Sequence, residues 1–210
     1  MNNDHNQHKS DWTEIRRKTD FEIIGNWIEP NSQILDLGCG EGELISCLEK
    51  EKNVYGIGVD KDTEKVIKCL KKNIPVYQDE VQSVLKNFPD KFFDWIIFSR
   101  IIEDLNEPGE ILKQSLRVGK HLAVGFINHG FWLNRLHFLF KGSRIINSVY
   151  TDPWHISQRT NPFSLKEFEK FCKENEIQIL KKNYLSSDWV NSQTFFPNTF
   201  AGYAIYKLTQ

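Results

Sequence analysis

Apolar runs alternate with segments of helical spacing over the first 127 residues of the chain. The strand-like runs, three continuous and two weaker, are residues 34–37, 54–59, 93–98, 74–77 and 121–127. Between two of them, Val66, Ile67 and Leu70 repeat at the spacing of one helix face. Pro108 suits the first turn of a helix before the fifth run. Continuous apolar strands that alternate with helices indicate a parallel sheet covered on both faces, so the pattern predicts a doubly wound α/β fold.

The pattern changes after Asn128. Residues 131–141 predict a helix that ends at Gly142, whereas residues 143–162 show no period and contain two prolines. A long irregular stretch inside a compact domain is often functional. We therefore expect this segment to contribute to binding rather than to the sheet.

Two strands and two helices complete the predicted elements. Ser164 followed by Glu167 is a capping-box signature and predicts the start of a helix. The apolar residues between positions 11 and 28 predict an N-terminal helix that ends before Pro30. The last two strands are residues 176–184 and 200–208. The mostly parallel sheet would then have seven strands.

The length of 210 residues fits one domain. We expect residues 1–10 to be a mobile tail and residues 11–210 to be a single domain, in which residues 128–162 are an inserted helix and irregular segment. The 27 basic and 28 acidic residues nearly balance, which disfavours nucleic acid or an anionic membrane as a partner.

The cysteines and the apolar runs bear on cellular location. No two of the four cysteines are spaced as a zinc or redox pair, so we expect reduced thiols and no metal site. The longest apolar run, residues 122–127, is too short to span a bilayer. The sequence therefore predicts a soluble, cytoplasmic protein.

A glycine-rich turn, DLGCGEG at residues 36–42, follows the first predicted strand. Such turns bring the backbone close to a ligand at the carboxyl end of a parallel sheet. Asp60 follows Gly38 by 22 residues, where an acidic residue binds ribose hydroxyls. Carboxylates flank the turn, and Glu43 replaces the third glycine of the dinucleotide fingerprint. These features favour a cationic ligand over a pyrophosphate, although a nicotinamide-dependent oxidoreductase stays as a weaker alternative.

The turn and Asp60 resemble the class I methyltransferases that use S-adenosylmethionine. The resemblance implies that Asp36 and the glycines contact the methionine part, that Asp60 binds the ribose, and that Glu80 or its neighbour Asp79 contacts the adenine amine. The candidate residues for S-adenosylmethionine or S-adenosylhomocysteine are Asp36, Gly38, Cys39, Gly40, Gly42, Asp60, Lys61, Asp79, Glu80 and Ser99. A degenerate fold with an empty site is the alternative.

A second block, FINHGFWLNRL at residues 126–136, continues to Gly142. Together with the approach to the glycine turn, it resembles the MetW family of methionine biosynthesis over roughly residues 20–208. The resemblance implies association with homoserine O-acyltransferase through residues 128–162. The chain departs from the family at residues 157–161, SQRTN, where relatives usually have Thr-Pro-Asn-Ile-His.

Catalytic residues are not evident. Ser99, Arg100 and Ile101 follow the fourth strand in place of the Asn-Pro-Pro-aromatic turn of many amino-methylating enzymes. His129 and His137 are eight residues apart and are more typical of capping or surface histidines than of a zinc pair. No Gly-x-Ser-x-Gly elbow is present, so acyl transfer would belong to a partner.

The aromatic helix at residues 131–140 has two interpretations. All of its apolar residues belong to the core, or one face packs on the sheet and the rest meets the cofactor or another protein. Trp154 in the irregular segment favours the interface. The leading hypothesis is thus a methyltransferase-like subunit that supports homoserine O-acyltransferase; the alternative is a methyltransferase that acts on a small molecule.

Overall fold

The computed structural model describes residues 17–143 and 161–210. In this part of the chain, seven strands form one sheet in the order β3-β2-β1-β4-β5-β7-β6. Strand β7 runs antiparallel to both of its neighbours, and the remaining pairs are parallel. The predicted α/β class and the mostly parallel seven-stranded sheet are confirmed.

The strands are β1 (Gln33–Leu37), β2 (Tyr55–Val59), β3 (Val76–Tyr77), β4 (Phe93–Ser99), β5 (Gly119–Ile127), β6 (Gln178–Leu185) and β7 (Tyr203–Thr209). The helices are α1 (residues 17–25), α2 (Glu43–Lys52), α3 (Thr63–Lys71), α4 (Val81–Lys86), α5 (Pro108–Val118), α6 (Trp132–Lys141), α7 (Leu165–Glu174) and α8 (Pro197–Phe200). A short 3-10 helix, Ile102–Asp104, follows β4.

The sheet separates two apolar clusters, since successive side chains of a strand point to opposite faces. Helices α1 and α2 cover one face, where Ile24 and Ile45 pack with Ile34 of β1. Helices α4, α5 and α7 cover the other, where Leu116 packs with Leu35 of the same strand. The first strands are therefore buried on both sides, as their continuous apolar runs predict.

Local signals in the sequence placed several helix ends correctly. Pro108 is the first residue of α5. Ser164 and Glu167 form both hydrogen bonds of a capping box, and Gly142 ends α6 in the left-handed conformation. The predicted apolar face of α3 is only partly buried: Val66 is buried, whereas Ile67 and Leu70 are exposed.

The strand at one edge of the sheet is short, and the strand at the other edge carries exposed lysines. Strand β3 has two residues. Strand β6 pairs with β7, with a register shift between Ile179 and Lys181, and Lys181 and Lys182 are exposed. None of the helices in residues 17–143 and 161–210 has the length and apolar character that a membrane crossing requires. The predictions for residues 1–16 and for Trp154 lie outside the described residues.

Candidate functional site

A cavity of about 340 Å³ lies at the carboxyl ends of β1 and β4. Its size is within the range of small-molecule sites. Five of the predicted cofactor residues line it: Asp36, Gly38, Cys39, Gly40 and Ser99. Residues that the sequence did not indicate also line it, among them Arg17, Phe21, Leu44, Lys65 and Arg100. The structure thus joins the glycine turn to the segment after β4.

The glycine turn is tied to β2 by its backbone. Gly38 and Cys39 donate hydrogen bonds from their N–H groups to the carbonyl of Val59, at 2.8 and 3.0 Å. Gly38 has a φ of 76°, and a Cβ there would lie 2.5 Å from the Ile101 side chain. Gly40 has a φ of 57°, but a Cβ there would meet nothing within 4 Å. Gly38 is therefore required by packing, whereas the openness at Gly40 leaves room for a ligand.

Asp36 is a buried carboxylate on the cavity wall. Burial raises its pKa from 3.8 to about 7, and the nearby charge of Asp60 adds to the rise. Among the described residues, Asp36 has no ion pair and no side-chain hydrogen bond. A ligand with a positive charge would supply the missing partner.

Asp60 lies behind the turn rather than on the cavity wall. Its Oδ2 accepts a hydrogen bond from the N–H of Gly40 at 2.9 Å, and its Oδ1 accepts one from the N–H of Asp62 at 2.9 Å. Lys65 Nζ is 3.9 Å from Oδ2. A carboxylate has about four acceptor sites, so Asp60 can hold the turn and still accept ligand hydroxyls.

Cys39 and Ser99 line the cavity but are engaged with the protein. The Cys39 Sγ is 4.0 Å from the Sγ of Cys69, and burial raises the pKa of the Cys39 thiol. The Ser99 hydroxyl donates to Asp20 at 2.8 Å. Burial therefore disfavours the Cys39 thiolate, and the Ser99 hydroxyl is engaged in positioning Asp20.

The other four predicted residues do not line this cavity. At Gly42, with a φ of 72°, a Cβ would lie 2.6 Å from Ile74 Cδ1, so this glycine faces the packing beneath α3. Lys61, Asp79 and Glu80 are exposed near the ends of β2 and β3. Their roles toward a cofactor stay predictions.

A buried acid in α1 orients the segment after β4. Asp20 Oδ2 accepts from Ser99 and from the Tyr203 hydroxyl at 3.2 Å, and it pairs with Arg100 Nε at 3.2 Å. Burial raises the pKa of Asp20 to about 6, against the opposing effect of Arg100. One signal in the sequence could have indicated that Asp20 is buried: it lies four residues before Ile24, on the same face of α1, and Ile24 is also buried.

The block at residues 126–136 forms an internal clasp around Asn128, which is completely buried. The Asn128 amide nitrogen donates to the carbonyls of Ala201 and Asn198 at 2.7 and 3.2 Å. Its oxygen accepts from the N–H groups of Gly130 and Leu165 at 2.9 and 3.3 Å. Asn128 thus joins the end of β5 to the start of α7 and to the segment before β7.

Arg135 completes this clasp. Its guanidinium donates to the carbonyl of Gly130 at 2.5 Å and to that of Asn198 at 3.1 Å. The clasp fixes the start of α6, but no residue of α6 itself is buried. The interpretation of this helix as core is therefore wrong: Phe138, Leu139 and Phe140 are 67, 73 and 79% exposed.

The two histidines of this region do not line the cavity. The N–H of His129 donates to the carbonyl of Phe163 at 3.1 Å, and burial lowers the pKa of its imidazole to about 4. His137 Nε2 is 3.3 Å from the hydroxyl of Ser143. No group of three or more His, Cys, Asp or Glu side chains within the described ranges could hold a metal ion.

Solved structures of methyltransferases share this fold. An S-adenosylmethionine-dependent methyltransferase from Archaeoglobus fulgidus superposes with a TM-score of 0.66 at 15% identity, over 95% of this chain and 94% of that one. One from Aquifex aeolicus superposes with a TM-score of 0.60 at 15% identity, over 96% of this chain and 98% of that one. The chain therefore has the class I methyltransferase fold.

Two curated proteins are similar in sequence. The bifunctional methionine biosynthesis protein MetXA/MetW of Rhodopirellula baltica is 28% identical over 138 residues, which are 62% of this chain and 22% of that protein. The mitochondrial ubiquinone biosynthesis O-methyltransferase of Saccharomyces cerevisiae is 27% identical over 143 residues, which are 63% of this chain and 45% of the enzyme. Both matches span less than half of the relative's own length.

A family model described as methionine biosynthesis protein MetW matches residues 18–208. The match includes the glycine turn, the clasp around Asn128 and the last two strands. The chain belongs to the MetW family of methionine biosynthesis proteins.

Proposed function

We propose that this protein binds S-adenosylmethionine or S-adenosylhomocysteine and is a subunit that associates with and supports homoserine O-acyltransferase. The observation that carries the proposal is the fusion of a MetXA part with a MetW part in the Rhodopirellula relative. We interpret the MetXA part as the acyltransferase, in line with the family resemblance. A MetW protein on a separate chain would then bind non-covalently to the acyltransferase that the fusion joins to it covalently.

The cofactor part of the proposal rests on the cavity. S-adenosylmethionine carries a sulfonium and an ammonium, which fit a buried carboxylate without a partner such as Asp36. The open backbone at Gly40 allows close approach, and Asp60 retains acceptor sites for ribose hydroxyls. When bound, the cofactor would supply an electrophilic methyl group.

Apart from Asp36, which the positive charges of the cofactor would engage, the described wall offers little for proton removal from a methyl acceptor. Burial raises the pKa of the Cys39 thiol, and the Ser99 hydroxyl donates a hydrogen bond to Asp20. Glu41 and Glu43 pair with Lys68 and Arg17. This setting favours a cofactor that acts as an effector, for which linkage requires that it and the partner change each other's affinity by the same factor.

The partner part of the proposal rests on α6. Exposed aromatic residues on one helix are typical of protein interfaces. Because the clasp of Asn128 and Arg135 fixes the helix start, the apolar residues of α6 are presented on an anchored element. We assign this surface to the acyltransferase contact.

The test is co-purification of the acyltransferase with this protein, followed by acyltransferase assays with and without S-adenosylmethionine. The double variant Leu139→Ser/Phe140→Ser should lose both capture and the increase in rate. The control, Ile67→Ser/Leu70→Ser, removes two exposed apolar side chains from α3 and should keep both. Absence of a complex with the wild-type protein, together with an unchanged acyl-transfer rate, would contradict the proposal.

A small-molecule methyltransferase is the second candidate, and the similarity to the yeast O-methyltransferase favours it. Its test is transfer of a labelled methyl group to metabolites of a cell extract. Transfer that is lost in Asp60→Ala would support this activity. It would be compatible with the partner role, because the two use different surfaces.

A further inference from the structure

Arg100 occupies a strained backbone position at the cavity. It follows β4 directly and has a φ of 62°, in the left-handed region that non-glycine residues seldom adopt. Its N–H donates to the carbonyl of Gly125 at 3.0 Å, which fixes this conformation. Strain of this kind costs about 1–3 kcal/mol. Of the nine described non-glycine residues with a positive φ, only Arg100 lines the cavity. The conformation places Arg100 on the cavity wall.

The guanidinium of Arg100 lies against Asp20 in an ion pair, although its buried Nε makes no hydrogen bond among the described residues. Its Nε lies 3.2 Å from Asp20 Oδ2, which is itself fixed by the hydroxyls of Ser99 and Tyr203. The two terminal amino groups of Arg100 have no hydrogen bond or ion pair among the described residues, and its side chain is 25% exposed. An oriented guanidinium with two free amino groups can donate two parallel hydrogen bonds to a carboxylate.

Asp36 gives the same cavity an unpartnered negative group. The other charged residues on or beside the wall are paired: Arg17 with Glu43 at 2.7 Å, Lys68 with Glu41 at 2.6 Å, and Lys65 with Asp60 at 3.9 Å. Asp36 and Arg100 therefore remain as one acceptor for a cation and one donor for an anion. An α-amino acid group, with its ammonium and carboxylate, has the complementary pair of charges.

We propose that Arg100 binds the α-carboxylate of an amino acid group whose ammonium faces Asp36. The methionyl end of S-adenosylmethionine is one source of this group, and for that source the inference rests on the proposed cofactor. A free amino acid such as methionine is the other source. Asp20 is a positioning residue, because it acts through the orientation of Arg100.

Calorimetric titration of Arg100→Gln tests the proposal with matched ligand pairs. S-adenosylmethionine is compared with its decarboxylated form, and L-methionine with 3-(methylthio)propylamine, so that each pair differs by the carboxylate alone. Hydrogen bonds to charged groups contribute enough that the variant should bind the carboxylate-bearing ligand roughly 10- to 100-fold more weakly. Its affinity for the decarboxylated partner should stay within about twofold of the wild type's. The pair that responds identifies the source of the carboxylate.

Two further variants keep the test decisive. Arg100→Gly removes the guanidinium and relieves the left-handed strain, but each Arg100 variant leaves the buried Asp20 without its ion-pair partner. Thermal unfolding of both variants therefore accompanies the titrations and separates weak binding from loss of the fold. Lys113→Met removes an exposed positive charge on α5 and should change no affinity.

The outcomes separate this inference from the proposed function. If both Arg100 variants bind S-adenosylmethionine and L-methionine as the wild type does, the inference is wrong and the proposed cofactor stands. If the wild-type protein binds neither ligand, the inference and the proposed cofactor both fail.

Discussion

Asp36 and Asn128 are two buried polar residues at the carboxyl ends of strands in one sheet, and their surroundings differ. Asp36 is the penultimate residue of β1 and lacks a side-chain partner among the described residues. Asn128 follows β5 and makes hydrogen bonds with both ends of its amide. Burial without a partner costs free energy, whereas a buried and satisfied amide stabilises the fold. The first residue is therefore suited to a ligand and the second to architecture.

The comparison also separates two motifs by what they do. In the glycine turn, the carboxyl group of Asp36 has no partner of opposite charge among the described residues. In the block at residues 126–136, the polar side chains of Asn128 and Arg135 make hydrogen bonds within the protein. This block thus positions the start of α6 and its exposed surface rather than a reacting group.

The largest effect is expected for Asp36→Asn. The rise of the Asp36 pKa from 3.8 to about 7 means that the folded state binds a proton more tightly than the unfolded state. The stability of the wild-type protein therefore falls as the pH rises from about 4 to 7, by up to about 4 kcal/mol from this residue. The asparagine variant should be more stable at pH 8 by up to that amount and should bind S-adenosylmethionine poorly.

Urea unfolding between pH 4 and 8 measures the first effect, and calorimetry the second. The gain in stability should shrink as the pH falls, and most of it should be gone near pH 4, where the folded-state carboxyl is protonated and the unfolded-state carboxyl is about half protonated. A variant that is less stable than the wild type at pH 8 would remove the distinction between Asp36 and Asn128.

Asn128→Ala should act in the opposite direction. It leaves the N–H groups of Gly130 and Leu165 and the carbonyl of Ala201 without their partners. We expect a loss of about 3 kcal/mol in the free energy of unfolding at neutral pH, since each such group costs about 1–3 kcal/mol when relaxation is incomplete. Asn87→Ala, at an exposed position after α4, is the control and should cost less than about 0.5 kcal/mol.

Substitution of two glycines in the turn separates a role in packing from a role in ligand binding. Both have positive φ, but a Cβ at Gly38 would strike Ile101, whereas one at Gly40 would enter open space. Gly38→Ala should cost about 2 kcal/mol and Gly40→Ala about 1 kcal/mol in thermal unfolding. Gly40→Ala should still weaken cofactor binding, because its methyl group takes cavity space. Equal stability of the two variants would show that the contact with Ile101 is easily relieved.

The smallest effect is expected for Leu139→Ser/Phe140→Ser. Both side chains are exposed, so the free energy of unfolding should change by less than about 0.5 kcal/mol. Urea unfolding of the isolated protein checks this value. A loss of several kcal/mol would mean that α6 belongs to the folded core after all.

The sequence predicted what depends on local chemistry. The strand runs, the proline that begins α5 and the capping box at Ser164 are each determined by neighbours within a few residues, and all three were correct. The glycine turn was also placed correctly at the end of β1, because its glycines follow an apolar run. Five of the ten predicted cofactor residues line the cavity, four of them in this turn.

Contacts between distant residues were not accessible in this way. The ion pair of Asp20 with Arg100 joins positions 80 residues apart, and the bond from Asn128 to Ala201 joins positions 73 apart. A single sequence does not state which of many polar residues will meet across the fold. The sequence left the burial of α6 open for a related reason, since an apolar helix has the same composition in a core and at an interface.

The edges of the sheet restrict how a partner can attach. Strand β3 is too short to template another strand, and the paired lysines and register shift of β6 oppose strand addition at the other edge. Recognition of this protein therefore depends on side chains rather than on an extended backbone. The same lysines protect the folded chain from edge-to-edge growth into fibrils.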